Sequence, residues 1–171
     1  MRGSGAAARA VVFLLVLSGL LVATGVPARA QSELKKDRHA GYYYPEPATR
    51  EVYEARSQTL LNANRETRIG FVTGISNDRL HREYPPQEAI FAKGTEGEKL
   101  IIVALVDGHL DTLYRARALF ANMTASARML PAFKDMGVRD WFTFFDLAKM
   151  LGFKQITISN GRDFAHQVII K

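Results

Sequence analysis

The chain has 171 residues, a formal charge of +6 and no cysteine. The missing cysteine excludes disulfide staples, cysteine-ligated zinc, thiol catalysis and a lipid-anchored thiol. Arg2, Arg9 and Arg29 precede every one of the 17 acidic residues, so the basic excess is concentrated at the start.

Residues 1–30 read as an export signal. Arg2 and Arg9 give a positive beginning, Val11–Val22 is a run of twelve mostly apolar residues, and Ala28-Arg29-Ala30 offers small residues for cleavage. A membrane-spanning helix needs about 20 residues. The expected mature chain starts at Gln31 and carries +3, because three of the 23 Lys and Arg leave with the signal. A periplasmic or secreted location follows, with no membrane span after cleavage. The remaining charges are mixed instead of forming a dense basic stripe, which argues against a nucleic-acid partner.

Residues 31–67 are expected to form a Tyr/Pro-rich arm and a short helix, ahead of a single domain over 68–171. In the arm, Tyr42, Tyr43 and Tyr44 pack either onto the domain or onto a partner. Residues 48–60 predict the helix, with Thr49 as its cap and Val52, Tyr53, Ala55 and Leu60 on one side. Residues 62–67 form a polar linker. Ile69, Phe71, Thr73 and Ile75 then alternate with Gly70, Val72 and Gly74, the period of a strand. Residues 76–87 contain Tyr84-Pro85-Pro86 and predict a loop. The apolar runs 89–93 and 100–106 flank Gly94-Thr95-Glu96-Gly97 as a hairpin, with the second run in the sheet centre.

A helix follows over about 111–128, capped by Asp111. Its buried stripe is Leu113, Ala116, Phe120, Met123, Ala127 and Leu130, with Arg115, Asn122 and Ser126 pointing away. Pro131 and Gly137 bracket a single turn. Asp140 caps a second helix that Gly152 ends. There Trp141, Phe144, Phe145, Ala148 and Leu151 face inward, while Thr143, Asp146 and Lys149 face water. Runs 155–159 and 164–170 enclose Asn160-Gly161, a strong hairpin signal. The whole predicts an α+β, two-layer domain. Its mainly antiparallel sheet has about five strands, with two main helices on one face.

Chemistry-bearing motifs are sparse. His39, His81, His109 and His166 lack metal-ligand spacing, so no metal is expected. His166 shares a strand face with Phe164, Val168 and Ile170. Ser159 and Asp163 lie near it along the chain, which permits a last-ranked hydrolase reading, but no Gly-x-Ser-x-Gly elbow accompanies them. The strand-to-helix step 105–112 could hold an anion, although Asp107 and Asp111 oppose one. The candidate anion or ligand contacts are Lys93, His109, Arg115 and His166. No phosphate-cradling glycine motif follows a strand, no cofactor is expected, and no residue is assigned a catalytic role.

The runs 68–74, 84–86, 90–94 and 98–105, with 111–118, 142–147 and 164–168, resemble a family of small exported alphaproteobacterial proteins. Its members are commonly labelled "molybdopterin-guanine dinucleotide biosynthesis protein A". The likeness extends over most of residues 42–171. It implies an accessory or biosynthetic role in molybdopterin-guanine dinucleotide cofactor metabolism.

The residues themselves point first to a non-catalytic module that binds a protein or a small molecule. Tyr42, Tyr43, Tyr44 and Tyr84 are its candidate partner contacts.

Overall fold

The computed structural model describes Ala40, Gly41 and Tyr43–Lys171. The expected signal, residues 31–39 and Tyr42 lie outside the described residues.

Five strands form one mixed sheet. They are β1 (Thr49–Tyr53), β2 (Glu88–Lys93), β3 (Lys99–Ala104), β4 (Gln155–Ser159) and β5 (Ala165–Ile170), in the spatial order β1-β5-β4-β3-β2. Among the described residues four helices accompany them: α1 (Arg65–Leu80), α2 (Leu113–Arg128), α3 (Pro131–Asp135) and α4 (Phe144–Met150). This is an α+β fold. Both expected hairpins form: β2 and β3 pair antiparallel over six residues, β4 and β5 over five. The joints between them differ in kind. β3 runs parallel to β4, and β1 parallel to β5. A parallel neighbour needs a long crossover, and α2, α3 and α4 supply it between β3 and β4.

Two elements exchange the types expected of them. Residues 48–60 give an edge strand rather than a short helix, because β5 offers Thr49–Tyr53 a free backbone edge. Residues 69–75 give helix α1 rather than a strand. The deciding spacing is Arg68, Val72 and the cleft-facing Phe71, Ile75 and Arg79, three or four apart. Asn64 caps the helix, its side chain accepting from the Thr67 N–H at 2.8 Å. The helix takes in residues 65–67 of the expected linker and the first part of the expected loop. Among the described residues the two long helices are therefore α1 and α2, 16 residues each.

The core lies between the helices and one sheet face. Ile90, Ile102, Ile158 and His166 form one row across the sheet, and Leu100, Ile156 and Val168 another. Phe120, Met123, Phe144 and Val72 cover them in one continuous cluster. Each fully buried Leu or Ile contributes roughly 1.5–3 kcal/mol. On the opposite face Tyr44 packs against Ile101 and Ala165.

Caps account for further departures. Thr112, not Asp111, caps α2, accepting from the Arg115 N–H. Thr143, not Asp140, caps α4 in a reciprocal box with Asp146. Asp146 is consequently buried, at 0% exposure, while Trp141 is 47% exposed. Leu130 also lies at the surface, 40% exposed.

Candidate functional site

A cleft of about 490 Å³ opens between α1 and α2, with β2 and α4 closing it. Such a volume suits a small molecule. Phe71 and Ile75 of α1, Leu119 and Met123 of α2, and Phe144 and Leu147 of α4 form its apolar walls. These are the faces that amphipathic helices turn toward the sheet, left incompletely filled here.

Gly74 sits midway along α1 in the wall of this cleft. A Cβ added there would meet no atom within 4 Å. Glycine inside a helix costs about 1 kcal/mol relative to alanine. Among the described residues no packing contact demands that cost, and Gly74 is exposed where it lines the cleft.

The polar groups of the cleft come from the last turns of α1, the start of β2 and the turn after β3. Glu88 is nearly buried. One of its oxygens accepts from Arg79 Nη1 at 2.6 Å, and the other faces His109 Nε2 at 3.1 Å. Local backbone brings His109 there. The Leu105 N–H donates to the Gln87 carbonyl, the His109 N–H closes a turn onto Val106, and Gly108 takes a φ of +76°. The buried side chain of Leu110 anchors the turn. At the rim, Arg82 Nη2 donates to Asp78 Oδ2 at 2.5 Å. The charges of the cleft are thus paired among themselves.

His109 Nδ1 makes no hydrogen bond among the described residues. With Glu88 accepting at Nε2, Nδ1 is the acceptor in the neutral form of the ring.

The other expected ligand contacts stand apart from the cleft. The Lys93 ammonium lies 4.3 Å from the ring centre of Tyr43, on the sheet face opposite the helices. Arg115 is 3.8 Å from Asp111 on the exposed start of α2. His166 is fully buried beside Phe120. Its Nδ1 is 2.8 Å from the Thr49 hydroxyl, and among the described residues its Nε2 has no hydrogen-bond partner, with Glu51 Oε2 at 3.8 Å. Burial pushes the pKa of His166 down; Glu51 opposes the shift and Arg117 adds to it.

Ser159 points to the other sheet face. Its hydroxyl donates to the Phe164 carbonyl at 2.7 Å and accepts from the Gly161 N–H. Asp163 is held by Asn160. The serine, histidine and aspartate of the hydrolase reading are not brought together.

The expected partner tyrosines also divide. Tyr42 lies outside the described residues. Tyr44 is 2% exposed, and Tyr43 stacks on Phe91. Tyr84 is 76% exposed.

Glu88, Arg79 and Gly74 are absent from the sequence-derived candidates. A strand period over residues 69–75 conceals Gly74 and Arg79, because it places Arg79 in the following loop instead of on the same helix. No local pattern announces Glu88, whose partners come from elements on either side of its strand.

Among the described residues no group of three or more His, Cys, Asp or Glu is placed to hold a metal ion. Among them, too, no helix is long and apolar enough to cross a membrane. No family model, no curated protein and no solved structure matches the chain.

Proposed function

We propose that this protein is an exported, non-catalytic binding module that takes a small amphipathic molecule into the cleft between α1 and α2. The observation that carries this reading is Gly74, a helix-interior glycine beside open space. The open space beside it belongs to a cleft with apolar walls and a cluster of polar groups. That combination is the usual composition of a small-molecule site. Export rests on the charged start, short apolar run and small-residue cleavage pattern of residues 1–30.

Fluorescence titration with Nile red, a neutral apolar dye, tests the cleft. The wild-type protein is expected to bind it saturably at one site. Gly74→Leu places a side chain in the cleft and is expected to weaken binding at least tenfold without lowering the melting temperature. Equal affinity in the two proteins overturns the reading. Intact-mass measurement of the protein recovered from its cells tests the export: the expected species begins at Gln31, and a folded product retaining Met1 in the cytosol refutes it.

A further inference from the structure

We infer that the cleft selects an aromatic alcohol, meaning an apolar ring system that carries one neutral hydroxyl donor. This rests on the reading of the cleft as a ligand site. The first ground is the state of His109. Glu88 Oε2 faces Nε2, so in the neutral ring the proton is assigned there and Nδ1 presents a lone pair. Nothing among the described residues donates to it. A ligand hydroxyl answers that lone pair directly.

The second ground is charge. Arg79 is committed to Glu88 and Arg82 to Asp78. A ligand carboxylate would approach two acidic side chains whose arginines are already engaged. A ligand ammonium would meet two arginines whose carboxylates are engaged. Either charged head would lose its hydration without gaining an unoccupied counter-ion. A neutral donor incurs no such loss.

The third ground is the wall. Phe71 presents aromatic surface, and the nearly buried Phe144 and Met123 underlie the cleft with a ring and a polarizable sulfur. Aromatic rings and thioethers contact an aromatic ligand more favourably than its buried area alone predicts.

Calorimetric titration of the purified protein with three probes tests the inference: 2-naphthol, 2-methoxynaphthalene and naphthalene-2-carboxylate. The methoxy compound keeps the ring and oxygen but has no donor, and the carboxylate adds a charge. 2-Naphthol is expected to bind about tenfold more tightly than either, the usual worth of one well-placed hydrogen bond. The preference is expected to vanish in His109→Leu. Should that variant fold poorly, His109→Phe fills the ring volume and carries the same expectation. Gly74→Leu is expected to abolish binding of all three.

Equal binding of the three probes in the wild type, lost in Gly74→Leu, overturns the alcohol preference and leaves the cleft reading standing. A preference for 2-naphthol that survives both His109 variants also overturns it. Absence of binding by every probe, or binding undiminished in Gly74→Leu, overturns the cleft reading and this inference with it.

Discussion

Asp146 Oδ1 accepts the backbone N–H of Arg56 at 2.7 Å, joining helix α4 to a segment 90 residues earlier in the chain. The other oxygen of the same carboxyl accepts from the Thr143 N–H at 2.8 Å and from the Tyr53 hydroxyl at 3.1 Å. One side chain therefore completes the capping box of α4 and fastens the end of the edge strand β1. Replacing it by alanine keeps Thr143 as the cap but leaves the Arg56 and Thr143 N–H groups unanswered. Each stranded donor costs about 1–3 kcal/mol. Asp146→Ala is expected to lose about 3–5 kcal/mol in urea unfolding, and Asp146→Asn less, because one carbonyl oxygen survives. A loss below about 1 kcal/mol would show that water takes over these bonds.

Gly70 and Gly74 lie one turn apart in α1, and neither has a neighbour within 4 Å of the position a Cβ would take. Alanine lowers the conformational entropy of the unfolded chain and fits the helix at both sites. Gly70→Ala and Gly74→Ala are each expected to stabilise the protein by about 0.5–1 kcal/mol. Only Gly74 lines the cleft. Ligand affinity should therefore fall in Gly74→Ala and stay constant in Gly70→Ala. Destabilisation of either variant in thermal melts would mean that the helix backbone needs the glycine.

The same pair shows why part of the fold was legible in the sequence and part was not. β2–β3 and β4–β5 announced themselves because apolar runs flanked glycine-containing turns, and Asn160 does serve the second turn, accepting N–H bonds from residues 162–164. In residues 69–75 strand alternation and helical spacing coexist, since Phe71 and Ile75 satisfy both periods. Two glycines then weigh against helix on propensity alone. Tertiary packing of Val72 and Arg68 decides the matter, and no local rule contains it. Thr143-x-x-Asp146 was readable as a capping box. Its consequence, a buried Asp146, depends on Tyr53 and Arg56 arriving from β1 and its end, which local spacing does not contain. The cleft was illegible for the same reason: its walls come from α1, α2 and α4, and its polar cluster from α1, β2 and a turn.

Tyr44 and Tyr84 were equal candidates in the sequence and occupy opposite environments in the fold. Tyr44 lies against Ile101 and Ala165. Tyr84 projects from the loop between α1 and β2. Tyr44→Ala removes a buried aromatic ring and is expected to destabilise by about 3 kcal/mol or more. Tyr84→Ala is expected to stay within about 0.5 kcal/mol of the wild type. Paired denaturant curves separate the two. Equal small effects would show that the opposite sheet face holds without Tyr44.

His166 makes the stability of the fold depend on pH, with a sign set by burial. Its ring lies between Phe120 and the Thr49 hydroxyl, and Glu51 and Arg117 are the charges that act on it. The folded pKa is below the ordinary value of 6.5, chiefly because burial penalises the charged form. The unfolded chain therefore takes up the proton first as the solution is acidified. The contribution of the neutral ring is complete above the unfolded pKa and is lost as pH falls through the folded one. Urea midpoints measured from about pH 8 down to about pH 5 are expected to hold steady and then decline below about 6.5. His166→Leu cannot titrate, so its midpoint should decline less steeply over the same interval, whatever constant offset the lost Thr49 bond introduces. Parallel curves for the two proteins would assign the acid sensitivity to other groups and refute a buried, neutral His166.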